Sequence, residues 1–204
     1  MQKKIFEDFI QEYFPERTKE ILVSFELYWK LLQLENKKVN LISRKTLSDD
    51  LWTIHFLDSI LIAKYYNLSN LKILDFGTGG GLPGIPIKIV FPESIVYLLD
   101  SKKKKTRSIN EIVKKLDLNN CFIINSRLEE LGNKWSNFFD IIISRSVKIL
   151  PEYKKDLFRL LRKNGKLLLY KSKKLNDVLQ FPQIKIYDIT HPSIGERKII
   201  EITK

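Results

Sequence analysis

Five of the chain's eight glycines fall within eight consecutive positions of the stretch Asp75-Phe76-Gly77-Thr78-Gly79-Gly80-Gly81-Leu82-Pro83-Gly84, directly after a short apolar run. A tight turn needs one or two glycines, not five. Glycine tolerates positive φ and lacks the Cβ that keeps a ligand off the main chain, so this density predicts a loop over which something binds. A helix opening near Gly84 would turn its free N–H groups toward the same space. Strand, glycine-rich loop and helix in that order begin a βα unit and commit the chain to an α/β architecture.

The rest of the sequence agrees with that start. Lys72–Phe76, Ile95–Leu99, Cys121–Ile124, Phe139–Ser144 and Gly165–Tyr170 are short, nearly continuous apolar runs, as in parallel strands buried on both faces. Helix-length segments separate them, and right-handed crossovers then give a doubly wound sheet. Ile184–Tyr187 and Arg197–Ile202 alternate more strictly and read as an antiparallel hairpin closing one edge.

No glycine precedes Gly77. Ile21, Leu22, Phe25, Tyr28, Trp29 and Leu32, then Leu51, Ile54, Leu57, Leu61 and Ile62, recur at helical spacing, predicting two amphipathic helices joined by a polar loop at 36–44. Ser48 and Asp49 are the expected N-caps of the second. The division is therefore an N-terminal helical extension, residues 1–66, that caps a Rossmann-like domain, residues 67–204.

Two ligands suit the loop. Gly79-x-Gly81-x-x-Gly84 with Asp100 at the end of the second strand matches the dinucleotide fingerprint, the acid holding a ribose. Asp75, two residues before Gly77, gives Asp-x-Gly-x-Gly-x-Gly instead, and a carboxylate aimed at the loop suits a cationic ligand end such as that of S-adenosylmethionine. A Walker phosphate loop is excluded, because no Gly-Lys-Ser/Thr follows.

Lys and Arg number 36 against 24 Asp and Glu, a net charge of +12, which points to a polyanion or an anionic surface. Lysine-rich codon usage could supply such an excess, but it would not respect a boundary. Residues 1–66 are neutral, and the whole surplus follows Tyr66. Its densest stretch runs from Arg145 to Lys174. A single cysteine, Cys121, excludes disulfide frameworks and thiolate metal sites, and His55 and His191 lack ligand spacing. No signal peptide and no run of membrane-spanning length is present, so a cytoplasmic protein without metal is expected.

Extended motifs make the comparison specific: Asn40-Leu41, His55-Phe56-Leu57-Asp58-Ser59, Asp75 through Pro86, Leu99-Asp100-Ser101 with Lys103-Lys104, Arg127-Leu128-Glu129-Glu130, Ser144-Arg145 and Lys171. With these the chain resembles the bacterial 16S ribosomal RNA guanine-N7 methyltransferase family, also called glucose-inhibited division protein B. The Gly-Leu-Pro-Gly-Ile-Pro extension is the most specific part, since general class I methyltransferases lack it.

The resemblance implies a class I S-adenosylmethionine-dependent methyltransferase fold with a mostly parallel seven-stranded sheet. The implied reaction is methyl transfer to N7 of a guanine in 16S rRNA, with rRNA or the small subunit as partner and a monomer as the working unit. It implies that Gly77 and Leu82 line the methionine end of the cofactor, that Asp100 takes the ribose, that Leu128 and Glu129 flank the adenine, and that Arg145 lies at the pocket. Asp75 and Gly79 complete the expected cofactor set. Ser146 and Ser172 depart from the family's usual Ala and Gly.

Guanine N7 carries an available lone pair, so no catalytic base is required, and rate can come from holding N7 on the line of the methyl–sulfur bond. A strongly basic group at the reacting atom would be unhelpful as positive charge moves onto the purine. Arg145, Lys148, Lys171, Lys173 and Lys174 are accordingly expected to hold RNA phosphates, with Tyr153 and Tyr170 as candidate base stackers and His55 and Asp58 at the pocket rim. A methyltransferase of another RNA site or of a protein, or an RNA-binding module with a vestigial pocket, are the competing readings.

Overall fold

In the computed structural model, residues 1–43, 49–173, 175–178 and 181–204 are described. Strands β1 (Lys72–Phe76), β2 (Ile95–Asp100), β3 (Cys121–Asn125), β4 (Phe139–Arg145), β5 (Leu161–Lys171), β6 (Lys185–Asp188) and β7 (Lys198–Thr203) form one sheet in the order β3-β2-β1-β4-β5-β7-β6. The first five pair in parallel, and β7 runs antiparallel to both β5 and β6. Every predicted strand is present, including the closing hairpin. Strand order reverses between β1 and β4, which puts the ends of those strands at the crevice where α/β sheets bind ligands.

Side chains alternate across the sheet with period two, and the two faces carry separate cores. Ile73, Ile141, Ile143 and Leu168 belong to one, and Leu74, Ile142, Leu167 and Leu169 to the other. The first face is covered by α1 (Gln2–Tyr13), α2 (Thr18–Lys38), the 52–64 segment, α4 (Gly84–Val90) and α5 (Lys103–Lys115). The second is covered by α6 (Tyr153–Leu160) and by Leu175, Val178 and Phe181.

The N-terminal helices share their core with the sheet. Phe6, Phe25, Tyr28, Trp52 and Phe56 form a buried aromatic cluster with ring centroids 4.7–6.3 Å apart. The predicted regular helix over 51–62 is irregular: Trp52–Leu57 is π-helical, α3 (Asp58–Ile60) is one short turn, and Leu61–Lys64 tightens to 3-10 geometry. The wide turn seats Phe56 in the aromatic cluster while His55 and Asp58 face the sheet's carboxyl end, and π turns commonly serve such a demand.

Ser48 lies outside the described residues. Asp49 does not cap the second helix, because its carboxylate takes the Gln2 N–H and the N-terminal amine instead. Trp52 and Trp135 are packing residues as expected, Trp135 stacked on Phe139. Cys121 sits on β3 against the first core, and burial pushes its thiol up to about 12.

Phe56→Ala removes the ring that touches Phe6, Phe25, Tyr28 and Trp52. A loss of about 3–5 kcal/mol is expected in denaturant unfolding, typical of a large aromatic deleted from a closed core. A cost near 1 kcal/mol would mean that the helices are only loosely joined to the sheet.

Candidate functional site

The period-two alternation that buries Ile73 also buries Asp75 on the same face, beneath the start of α4. Its Oδ2 accepts the Thr78 hydroxyl at 2.6 Å and the Gly84 N–H at 2.9 Å, so one carboxylate oxygen ties the end of β1 to the loop and the first residue of the helix. Its Oδ1 is buried without a partner. Burial raises the acid to about 6, against the lowering pull of the Thr78 and Gly84 bonds. Asp75 is completely buried and does not reach the cavity, which corrects its expected role against a cationic ligand end. The carboxylate shapes the loop.

Gly77, Gly79 and Gly81 have φ of +75°, +57° and +89°, a region where side chains are strained. A Cβ on Gly77 would meet Val147 Cγ2 at 2.5 Å, and one on Gly84 would meet the Leu98 side chain and Asp75 Oδ2. The loop is also held from outside. Tyr28 donates from its buried hydroxyl to Gly80 O at 2.7 Å, and Asn36 Oδ1 accepts the Leu41 and Ile42 N–H groups, setting residues 41–43 along the loop.

Over this loop opens a cavity of about 730 Å³, within the range of small-molecule sites. Gly77, Gly79 and Leu82 line it, together with Asp100, Leu128, Glu129 and Arg145, so seven of the eight expected cofactor residues are brought together. Asp100, half-buried at the end of β2, accepts the Gly79 N–H at 3.2 Å through Oδ2 and the Lys102 N–H at 2.8 Å through Oδ1. Each oxygen keeps a lone pair for a ligand hydroxyl. Leu128 is a buried apolar wall and Glu129 is exposed at the rim. Leu41, Ile42 and Ser43 also line the cavity, a contribution from the helical region that only the Asn40-Leu41 motif hinted at.

A second cavity, also about 730 Å³, adjoins the first, and the two share His55, Arg145, Ser146 and Val147. Arg145 ends β4, and Ser146 takes φ +62°, turning the chain between the cavities at one of the two positions that depart from the family pattern. The other, Ser172, is exposed after β5 and lines the second cavity.

Several cations expected on RNA phosphates are committed elsewhere. Arg145 is nearly buried and donates from Nη1 to Asp58 Oδ2 at 2.8 Å and to His55 O at 3.1 Å. Lys171 is also largely buried; it pairs with Asp177 at 2.5 Å and donates to Val147 O at 3.3 Å. A buried cation that is paired and hydrogen-bonded does not need a phosphate, so both residues are wall elements rather than free phosphate hooks, correcting that expectation. Lys148 lines the second cavity and is exposed, Lys173 is exposed beyond β5, and Lys174 lies outside the described residues.

Tyr170 is almost completely buried, donates to Ser59 O at 2.7 Å and lines the second cavity, whereas Tyr153 lines the first cavity edge-on to Phe76. His55 and Asp58 lie at the cavities as expected, and burial beside Arg145 lowers the His55 imidazole to about 4, so it is neutral at pH 7. Arg197, immediately before β7, completes the second cavity by donating to Asp58 Oδ1 at 3.1 Å. No local pattern marks it, because only the return of β7 along β5 brings it there.

Comparisons with known proteins agree with this geometry. A family model described as GidB, rRNA small subunit methyltransferase G, matches residues 21–188. Proteins named ribosomal RNA small subunit methyltransferase G are similar to the chain: that of Mesoplasma florum is 40% identical over 177 residues, covering 87% of this chain and 73% of its own. That of Flavobacterium johnsoniae is 36% identical over 205 residues, covering 97% and 95%. Among solved structures, a SAM-dependent methyltransferase from Aquifex aeolicus superposes with a TM-score of 0.60 at 17% identity, covering 83% of this chain and 97% of that one. A putative S-adenosyl-L-methionine-dependent methyltransferase from Methanococcus maripaludis gives 0.61 at 15%, covering 76% and 87%. At these identities the structures establish the shared fold.

Two outcomes test the loop. Gly79→Ala adds a Cβ with nothing nearer than 3.8 Å and suffers only its positive φ, a cost of about 1 kcal/mol, while Gly84→Ala must displace Asp75 and Leu98 and costs more. Equal thermal shifts would refute the crowding at Gly84. For Asp75, a native pKa of about 6 against 3.8 unfolded means that the folded state carries a penalty above pH 6 that disappears as the acid takes up its proton on the way to pH 3.8. Asp75→Asn lacks that titration, so its stability relative to wild type is expected to fall by about 2 kcal/mol between pH 7 and pH 4. A pH-independent difference would show that Asp75 is not perturbed.

Proposed function

The chain belongs to the rRNA small subunit methyltransferase G family, and from that premise we propose that it transfers a methyl group from S-adenosylmethionine to N7 of a guanine in 16S ribosomal RNA. The observation that carries this reading is the pair of adjoining cavities separated by residues 55 and 145–147. The glycine-loop cavity suits the cofactor: the main chain is bare at Gly77, Gly79 and Gly80, Asp100 offers a carboxylate to ribose hydroxyls, and Leu82 and Leu128 supply apolar walls for the adenine. When bound, S-adenosylmethionine supplies an electrophilic methyl carbon on a sulfonium.

The chain's own work is placement. Guanine N7 needs no deprotonation, and the groups nearest the partition suit that chemistry: His55 is neutral and Arg145 is ion-paired to Asp58. No basic group has to be spent at the reacting atom. Holding nucleophile and electrophile in a near-attack arrangement contributes roughly 7–11 kcal/mol to such a reaction. The second cavity is the seat for the target nucleotide. Exposed Lys102, Lys148 and Lys173 meet the flanking phosphates, whose binding weakens with salt.

This reading treats residues 1–66 as the helical extension and 67–204 as the methyltransferase domain. It takes the working form as a cytoplasmic monomer that uses neither metal nor membrane. Incubation with 16S rRNA or small subunits lacking the modification, followed by borohydride–aniline cleavage, should give strand scission at a single guanine. Methylation at another atom, or none with a cofactor that binds, would refute the assignment. Gly77→Asp, which drives a charged side chain into Val147 at a positive φ, is expected to abolish cofactor heat in calorimetry.

A further inference from the structure

Besides the Lys171 bond to Val147 O, the wall between the two cavities is anchored at two points. On one side, Val147 packs where Gly77 has no Cβ. On the other, Arg145 reaches back to the 52–64 segment. Its Nη1 donates to Asp58 Oδ2 and to His55 O, and Nη2 approaches His55 Nδ1 at 3.5 Å. A guanidinium has only donors, so His55 Nδ1 faces it as an acceptor and the ring proton sits on Nε2. Asp58 is almost completely buried and uses both oxygens, one on Arg145 and the other on Arg197. One carboxylate thus joins the end of β4, the start of β7 and the helical segment.

We propose that Asp58 is a positioning residue for methyl transfer: by seating Arg145 it sets the 145–147 wall, and hence the distance between the cofactor's methyl group and the base in the second cavity. The inference rests on the reading of that cavity as the seat of the target base. Two physical points support it. Removing one partner of a buried ion pair leaves an uncompensated charge, so without Asp58 the Arg145 and Arg197 guanidiniums repel each other across the second cavity. Lys171 holds the far end of the wall by donating to Val147 O at 3.3 Å, so the Arg145 end is the part that depends on Asp58. Displacement of the reacting groups by about 1 Å can cost 100-fold in rate.

Asp58→Asn keeps the shape and removes the charge. With saturating cofactor and rRNA, kcat is expected to fall about 10–100-fold, while cofactor affinity and binding stoichiometry in calorimetry stay near wild type. Asp58→Glu, which restores the charge one methylene further out, should recover part of kcat. Glu20→Gln, which breaks the Arg17 pair far from both cavities, should keep wild-type kcat. A readout independent of turnover is the His55 imidazole in nitrogen-15 NMR: wild type should show an unprotonated Nδ1, and Asp58→Asn should mix the tautomers as Arg145 leaves.

Unchanged kcat in Asp58→Asn, loss of cofactor binding in parallel with kcat, or an unaltered His55 tautomer would each overturn the proposal. If Asp58→Asn does not fold, Arg145→Lys, which lacks the fork that bridges Asp58 and His55 O, carries the test, and an unchanged kcat there would overturn the proposal as well. A wild-type protein that binds cofactor but methylates no rRNA would refute the functional reading instead, and the NMR comparison would still decide whether Asp58 seats Arg145.

Discussion

A single buried carboxylate organises the ligand-binding end of the sheet. Asp75 is completely buried, yet one of its oxygens holds Thr78 and the first residue of α4. The cost of burying it is only partly offset by those two bonds, and its second oxygen remains without a partner. Because the acid fixes where β1 stops and α4 starts, it sets the path of the glycine loop between them. The loop path in turn decides where Asp100 can accept the Gly79 N–H and where Val147 can pack beneath Gly77. Glycine is needed at these positions for steric and dihedral reasons, but the curve it follows is imposed by Asp75.

The same economy governs charge at the carboxyl end of the strands. The protein carries a net +12, and the cations deepest in the second cavity are ion-paired: Arg145 and Arg197 share the one carboxylate of Asp58, and Lys171 holds Asp177. Burial alone would raise Asp177, and its bonds to Lys171 and the Ile149 N–H keep it below its ordinary value. Surplus positive charge is left to exposed lysines around the cavity mouths, where a phosphate can be met without desolvating a side chain. That division suits a reaction in which positive charge moves onto a purine inside the cavity while polyanionic RNA is held outside it.

The strands were legible because each parallel strand is apolar on both faces and the hairpin strands alternate, so period and length identified all seven. The helical region was less legible. Apolar spacing predicted a regular helix over 51–62, but two demands one residue apart, Phe56 toward the aromatic core and His55 toward the cavities, widen it into π geometry. Asp49 fits the local pattern of an N-cap and was claimed by the N-terminus. Arg145, Lys171 and Tyr170 read as ligands for RNA from charge and chemistry. Their partners Asp58, Asp177 and Ser59 O come from other elements, which sequence proximity does not reveal.

Taken alone, the sequence determined the α/β architecture, the position of the glycine loop, the acid at the end of β2 and most residues around the first cavity. These follow from local rules: hydrophobic period, the conformational freedom of glycine and motif spacing. Tertiary structure decided which charges are free and which are neutralised, turned Asp75 from a ligand group into a brace, and brought Arg197 to Asp58 across 139 positions of chain. Electrostatic roles depend on burial and on partners distant in sequence, and those exist only once the sheet has assembled.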